Sequence, residues 1–499
     1  MNINCLPTLI LGVLSSVLPL HAANWYVAQT AQGSDTGADA ADAHSAVWFN
    51  TSSNWGAGAG TIRAGDTVHL VGTISTVLTV QASGSAGSVI TILFESGAKL
   101  SQAASTLMSA ANQSYLVIDG GTNGIIENTG NGTSLPSQIA TCGILGNGMS
   151  NVEIKNLTFQ NLYVHASGDA AGPDLTTVAA IYMNGFGDNI LIHDNTFYDV
   201  CWCITALGNR STNFQVYGNY FYNFDHGIAG LGGITGLLVH DNHFGTTANW
   251  DTPTNSWHHD GVHAFFGSGI SLNGAKFYNN LFDGDWGVNN TAHMFFEGDV
   301  ISHTGTINGT VIYNNVHVAY TGRLLNNGFL NGSGDSWFVA NNTYVGAGTT
   351  LSLAMILGGT NWTISNNIFT ACNTFIYVPG TITFATGGLN HNIYFNQAPG
   401  GNSPWYLNAV AFNTMSAWRT ATGQEVASVT TNPLLSSSYT LQSGSSAIAA
   451  GANFSAFFTT DKAGSTRPAT GAWDIGAYVY GGSPVVTAPS NAKADVTVQ

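Results

Sequence analysis

Three phrases in the middle of the chain hold most of its chemically capable side chains: WHHDGVHAFFGSG (257–269), TAHMFFEGD (291–299) and TGRLLNNGF (321–329). Aligned on HAFF and HMFF, they place His263, His293 and Arg323 in one column at intervals of 30 residues. The same register stacks Phe265, Phe295 and Leu325, and then Gly267, Glu297 and Asn327. β-Elimination from a uronate needs a cation at the sugar carboxylate, a base at C5 and an acid at the leaving oxygen. Arg323 can neutralise, His263 or His293 can act as base near neutral pH, and a Tyr or second His can be the acid. Hydrolysis instead needs two carboxyl groups flanking the bond, and Asp260, Glu297 and Asp299 supply enough of them. His258 and His259 precede the strand and are assigned to substrate contact, with Asn327 and Asp299. A zinc or copper site from His258, Asp260 and His263 is conceivable, but its spacing matches no strong ligand motif, so the metal is left unassigned.

Side chains alternate across a strand, so one parity must be chosen for the column. If His263 faced inward, Arg323 and Glu297 would share a dry core at a cost of several kcal/mol per unpaired ion. The opposite parity buries Val262, Ala264, Phe266, Met294, Phe296 and Leu324, leaving Asn326 as the one awkward inward residue. His263, His293, Arg323, Glu297, Phe265 and Phe295 are therefore expected on one solvent-facing strip. Tyr182, Thr205 and Ala229 extend its column into the preceding coils. Exposed rings such as Phe265 and Phe295 are a liability unless they stack on something, and the apolar face of a pyranose suits them.

A repeat positions this strip. An apolar-alternating strand followed by Asn, any residue, and an aromatic ring or His recurs eight times. It runs from ILIHDNTF (190–197), FQVYGNYF (214–221), LLVHDNHF (237–244) and AKFYNNLF (275–282) to TVIYNNVH (310–317), WFVANNTY (337–344), WTISNNIF (362–369) and NHNIY (390–394). The recurring residues are Asn195, Asn219, Asn242, Asn280, Asn315, Asn342, Asn367 and Asn392, spaced 24, 23, 38, 35, 27, 25 and 25 apart. One such unit is one coil of a solenoid, whose short strands pair in parallel with neighbours about 4.8 Å away. The Asn amides can donate and accept along the stack, and the following rings stack inside. His193, Tyr217, His240, Tyr278 and Tyr313 form a second outward column. The two long spacings put extra loops between Asn242 and Asn315, where a solenoid carries its binding face.

Composition agrees. Only 7% of residues are charged and 61 of 499 are Gly, which suits a β surface wetted by hydroxyls and amides. The net charge of −16 argues against nucleic acid or an anionic membrane as partner. An apolar stretch from Leu9 to Leu20 followed by His21-Ala22-Ala23 reads as a signal peptide, too short to span a bilayer. Cys142, Cys201, Cys203 and Cys372 read as small core residues with at most one bridge, not as a zinc site or disulfide framework.

The ladder resembles the right-handed parallel β-helix proteins of the pectin-lyase-like superfamily over roughly residues 115–395. NWYVAQTAQGSDTG with RAGDTVHL (63–70) is similar to the opening segment of bacterial members. NPLLSSSYTLQSGSSAIAAG with RPATGAWDIGAY is similar to their closing tail. The resemblance implies a secreted bacterial protein, extracellular or periplasmic, acting as a monomer on a polysaccharide. Its segments are expected to be a signal peptide (1–22), an N-terminal cap with first coils (23–114), a β-helix core (115–395), a C-terminal cap (396–480) and a flexible tail (481–499), with no anchor. Asp260 in HHDG matches the Asp of the Asn-Thr-Asp-Gly signature of β-helical polygalacturonases, but that family's Gly-His-Gly, paired-Asp and Arg-x-Lys motifs are missing. The lysine or arginine with calcium of β-helical pectate lyases has no clear match, Lys276 being the one lysine near the strip, so calcium stays open as a cofactor. A polysaccharide lyase is the leading expectation. A glycoside hydrolase using Asp260 with Glu297 or Asp299, and a non-catalytic glycan-binding or adhesion β-helix, are the alternatives.

Overall fold

A computed structural model describes residues 22–132, 138–163, 177–208, 210–251, 258–267, 269–297, 305–320, 328–348, 351–355, 358–400 and 402–482. Its strands stack coil upon coil. Tyr220–Leu231, for example, pairs in parallel with Thr196–Leu207 on one side and with His259–Phe265 on the other. Among the described strands the ladder pairing is parallel from Asn24–Ala28 to Trp405–Leu407, where an antiparallel partner, Val410–Phe412, ends the stack. The fold is a parallel β-helix. Among the described residues no helix is long and apolar enough to cross a membrane. The four described cysteines are buried and free.

The Asn residues form the ladder expected of them. Each side-chain amide donates to the Oδ1 of the next Asn, as in Asn195 to Asn219 (3.1 Å), Asn280 to Asn315 (3.0 Å) and Asn342 to Asn367 (3.1 Å). Each also donates to a strand carbonyl of the preceding coil, Asn280 to Val239 at 3.0 Å. From Asn219 on, each Oδ1 accepts in turn from the backbone N–H of the Asn before it, as Asn315 does from Asn280 at 2.9 Å. Corner groups that water cannot reach are thereby satisfied. Inside the corner, Phe197, Phe221, Phe244, Phe282, His317, Tyr344, Phe369 and Tyr394 stack with ring centroids 4.5–5.2 Å apart.

The outward column is also built. His193, Tyr217, His240, Tyr278 and Tyr313 stack at 4.5–5.0 Å, and Phe458 continues the column on Tyr313 at 4.2 Å. Phe458 belongs to the closing segment, which folds back along the coils. Arg467 is buried there, donating to Asn314 Oδ1 (2.9 Å) and to the Gly476 carbonyl (3.0 Å). At the far end, helix Met415–Thr422 buries Trp418 against Trp405, and the buried Glu425 accepts from Tyr394 and Trp418.

Two outcomes follow. Asn280→Ala strands the Asn242 N–H and amide donors and the Val239 carbonyl in the buried corner, so it should destabilise by about 3 kcal/mol in urea unfolding. At the head of the outward column, burial by itself would lower the His193 pKa. Hydrogen bonds to Asp194 (2.8 Å) and Glu153 (2.9 Å), with their charges, win and raise it. A raised folded-state pKa gives stability that is full below the ordinary histidine value and is lost as pH rises through the raised one. The melting-temperature deficit of His193→Phe should therefore be larger at about pH 5 than at about pH 9.

Candidate functional site

Strands Ala179–Asn184, Thr196–Leu207, Tyr220–Leu231, His259–Phe265, Asn290–Phe296 and Leu330–Gly332 lie side by side and carry the site. The pairing puts Tyr182, Thr205, Ala229 and His263 in one outward column, as the sequence implied. The column then departs from expectation. His263 sits opposite Phe295, and Phe295 opposite Asn331. Matching HAFF to HMFF misaligned the coils by two residues; one of the two comes from an irregularity where the pairing passes from His259–Asn290 to Asp260–Ala292.

His293 therefore does not belong to the strip. It lies opposite Gly261, on the inside of the corner, with its ring stacked on Phe282 (5.3 Å) and its Nδ1 3.3 Å from His317 Nδ1. Burial and then the charge of His317 hold its pKa well below the ordinary histidine value, so it is a neutral core residue. The parity of the remaining residues holds, since Val262, Ala264, Phe266, Met294 and Phe296 are in the core. The strip is not open, however: His263 and Phe295 are buried, and Phe265 is half-buried. Tyr182 is packed with Trp202, Ala229 and Trp250 in an apolar cluster outside the sheet. Arg323, Asn327 and Asp299 lie outside the described residues, as do Leu324, Leu325 and Asn326.

Glycine makes the corner. A Cβ on Gly261 would stand 2.6 Å from the His293 carbonyl and 2.8 Å from the Phe282 ring, and one on Gly227 would stand 2.4 Å from the Gly261 carbonyl. The bend leaves the residue just before each glycine facing outward, and there the polar residues gather. His226 pairs with Asp260 across the coils, and His258 joins them from the start of the next strand. Asp260 is fully buried. Its Oδ1 accepts from the Ala292 N–H at 3.0 Å. Its Oδ2 lies 3.3 Å from His258 Nε2, 3.7 Å from His226 Nε2 and 3.7 Å from His263 Nδ1. Neither Asp260 Oδ2 nor His258 Nε2 makes a hydrogen bond among the described residues.

Behind them runs a second line of charge. His226 Nδ1 meets Asp225 Oδ2 at 2.9 Å, and His259 joins Asp225 (2.7 Å) to Asp251 (3.1 Å). Asp251 is fixed by the backbone N–H groups of Val288 and Asn289. Burial would lower the His259 pKa, but these two carboxylates raise it to about 9, so His259 is a cation at neutral pH. Burial pushes Asp260 up to about 7, partly offset by His226 and Ala292 and reinforced by Asp225. His258 is brought down to about 3 by burial and by the neighbouring imidazoles His226 and His263. On the far side of His263, its Nε2 faces Glu297 Oε1 at 3.6 Å.

Aromatic rings wall this cluster. Trp202 stacks on His226 (4.2 Å), Phe295 stacks on His263 (5.0 Å) and Phe265 tilts against it at 4.8 Å. A groove of about 300 Å³ passes Phe265, crossing the coils at Asn184, Gly208, Gly232 and Gly267. At about 4.8 Å per coil, those four positions span roughly 14 Å. His226, Asp225, Asp251 and Trp202 were missed by sequence reasoning. The signal existed in DHG at 225–227 against HDG at 259–261, phrases that lie one above the other in the pairing.

No protein-family model and no curated protein matches the chain. Solved structures do. A GH136 lacto-N-biosidase from Eubacterium ramulus is 10% identical, with a TM-score of 0.44, over 74% of this chain and 67% of that one. XylC in complex with xylose is 10% identical, with a TM-score of 0.48, over 92% and 98%. The pectate lyase Pel9A is 15% identical, with a TM-score of 0.39, over 92% and 97%. At such identities these are likenesses of fold alone.

The corner geometry is testable. Gly261→Ala should cost about 1–3 kcal/mol through overlap with the next coil. Gly267→Ala, whose Cβ would meet nothing within 4 Å, should leave the thermal midpoint unchanged.

Proposed function

We propose that the chain is a polysaccharide-cleaving enzyme, and within that class a lyase that opens a uronate-containing glycan by β-elimination. The observation that carries this reading is the recess itself. A buried carboxylate ringed by three imidazoles borders an aromatic wall, and one ring of that wall, Phe265, also lines a groove that follows the stacked coils. A linear groove matches a linear polymer. Phe265, half-buried and on the groove, offers a ring face of the kind that packs on a pyranose.

The proton chemistry is assigned to Glu297, oriented by His263 Nε2, as the base at C5. His258, the most exposed of the cluster's imidazoles, marks its substrate-facing side, and solvent supplies the proton to the leaving oxygen. Elimination is preferred to hydrolysis because Asp260 makes a poor glycosidase carboxylate. It has no solvent exposure, and one of its oxygens is tied to the backbone.

Incubation with a panel of uronate-bearing and neutral polysaccharides decides between the chemistries. Ultraviolet absorbance of an unsaturated uronate should rise together with reducing ends. Reducing ends without that absorbance would sink elimination and leave hydrolysis. Glu297→Gln should lower kcat at least about 100-fold. Phe265→Ala should act mainly on KM.

A further inference from the structure

We propose that His226, His258, Asp260 and His263 form a binding site for one divalent cation of the zinc class. Four ligand atoms, one from each residue, lie within 4.8 Å of one another. Tetrahedral zinc bonds of about 2.0–2.1 Å put neighbouring donors roughly 3.3 Å apart. Asp260 Oδ2 stands 3.3, 3.7 and 3.7 Å from the nitrogens of His258, His226 and His263, close to that spacing, while the widest pairs of the set, within 4.8 Å, must draw in around an ion. Three imidazoles and one carboxylate suit zinc and its transition-metal neighbours. They do not suit calcium, which takes six to eight oxygens.

The surroundings orient three of the four donors. His226 gives its Nδ1 hydrogen to Asp225, which turns the Nε2 lone pair toward the cluster. The Asp225 carboxylate is itself held by His259, and His259 by Asp251, so the support reaches the backbone at Val288 and Asn289. Asp260 uses Oδ1 on Ala292, leaving Oδ2 as the ligand atom. His263 faces Glu297 with Nε2 and the cluster with Nδ1. Among the described residues Asp260 Oδ2 and His258 Nε2, both enclosed atoms, have no hydrogen bond to satisfy them, and an ion would satisfy both.

One carboxylate and three neutral imidazoles leave a bound dication with net positive charge. Zinc can accept a fifth ligand, and His258 marks the most exposed side of the site. This second step rests on the lyase reading: there the ion would meet the uronate carboxylate, the charge that β-elimination must neutralise.

The full-length protein, stripped with a chelator and dialysed, should be titrated with zinc chloride by calorimetry and with cobalt(II) by visible absorption. One ion per chain is expected, with a Kd below about 1 μM and the intense visible bands of four-coordinate cobalt. Zinc should raise the melting temperature of the wild type and not that of His258→Ala, whose ring is partly exposed and whose loss spares the fold. Asp225→Asn, which removes only support, should weaken zinc about 10–100-fold. Absence of uptake by the wild type, or equal uptake by His258→Ala and Asp260→Asn, overturns the site. Zinc binding without cleavage of any glycan would overturn the lyase reading and leave the site standing. Unchanged cleavage after chelation would do the reverse for the ion's catalytic part.

Discussion

A parallel β-helix turns at every corner, and each turn leaves backbone donors and acceptors where water cannot follow. In this chain one amide per coil answers that demand. The side chain of each Asn in the ladder bridges to the coil above and the coil below. Because donation and acceptance run in one direction through the stack, a coil cannot slip by one residue without breaking three contacts. The aromatic stack beside it reinforces the same register, ring over ring at close to the strand spacing. Everything else in the molecule inherits its position from that corner.

The candidate site shows what inheritance means. Its second corner is made by glycines, Gly227 over Gly261, because the carbonyl of the following coil occupies the space where a Cβ would be. Turning there keeps His226 and Asp260 outside the barrel of apolar side chains while sending His293 inside it. Enclosure by Trp202, Phe265 and Phe295 then removes the water that would otherwise solvate the cluster. A carboxylate in such a place is expensive unless charge or hydrogen bonds compensate it. The chain supplies an alternating series of acids and imidazoles from Asp251 through His259, Asp225 and His226 to Asp260. Its two inner members keep opposite charges at neutral pH, since His259 is held protonated and Asp225 is held ionised well below the usual carboxylate range.

Much of this was legible in the residues. The solenoid, the Asn ladder, the inner rings, the outward His and Tyr column and the inward parity of Val262, Ala264, Met294 and Phe296 all follow from short-range patterns. A side chain's face is set by its neighbours one and two positions away, so local spacing carries that information. Tyr182, Thr205, Ala229 and His263 were placed together for the same reason.

The sequence by itself determined the architecture and which faces its side chains take, because periodicity is a property of each coil alone. Only the tertiary structure decided which coil residue stands over which. Coil stacking, with an irregularity of one residue beside Asp260, put Phe295 over His263, and the corner at Gly261 turned His293 into the core. Coil stacking on the other side brought His226, more than thirty residues away in sequence, against Asp260. Registration between coils is settled by close packing of glycine against carbonyl and by hydrogen bonds across the stack. Both are contacts between residues that the linear order keeps apart.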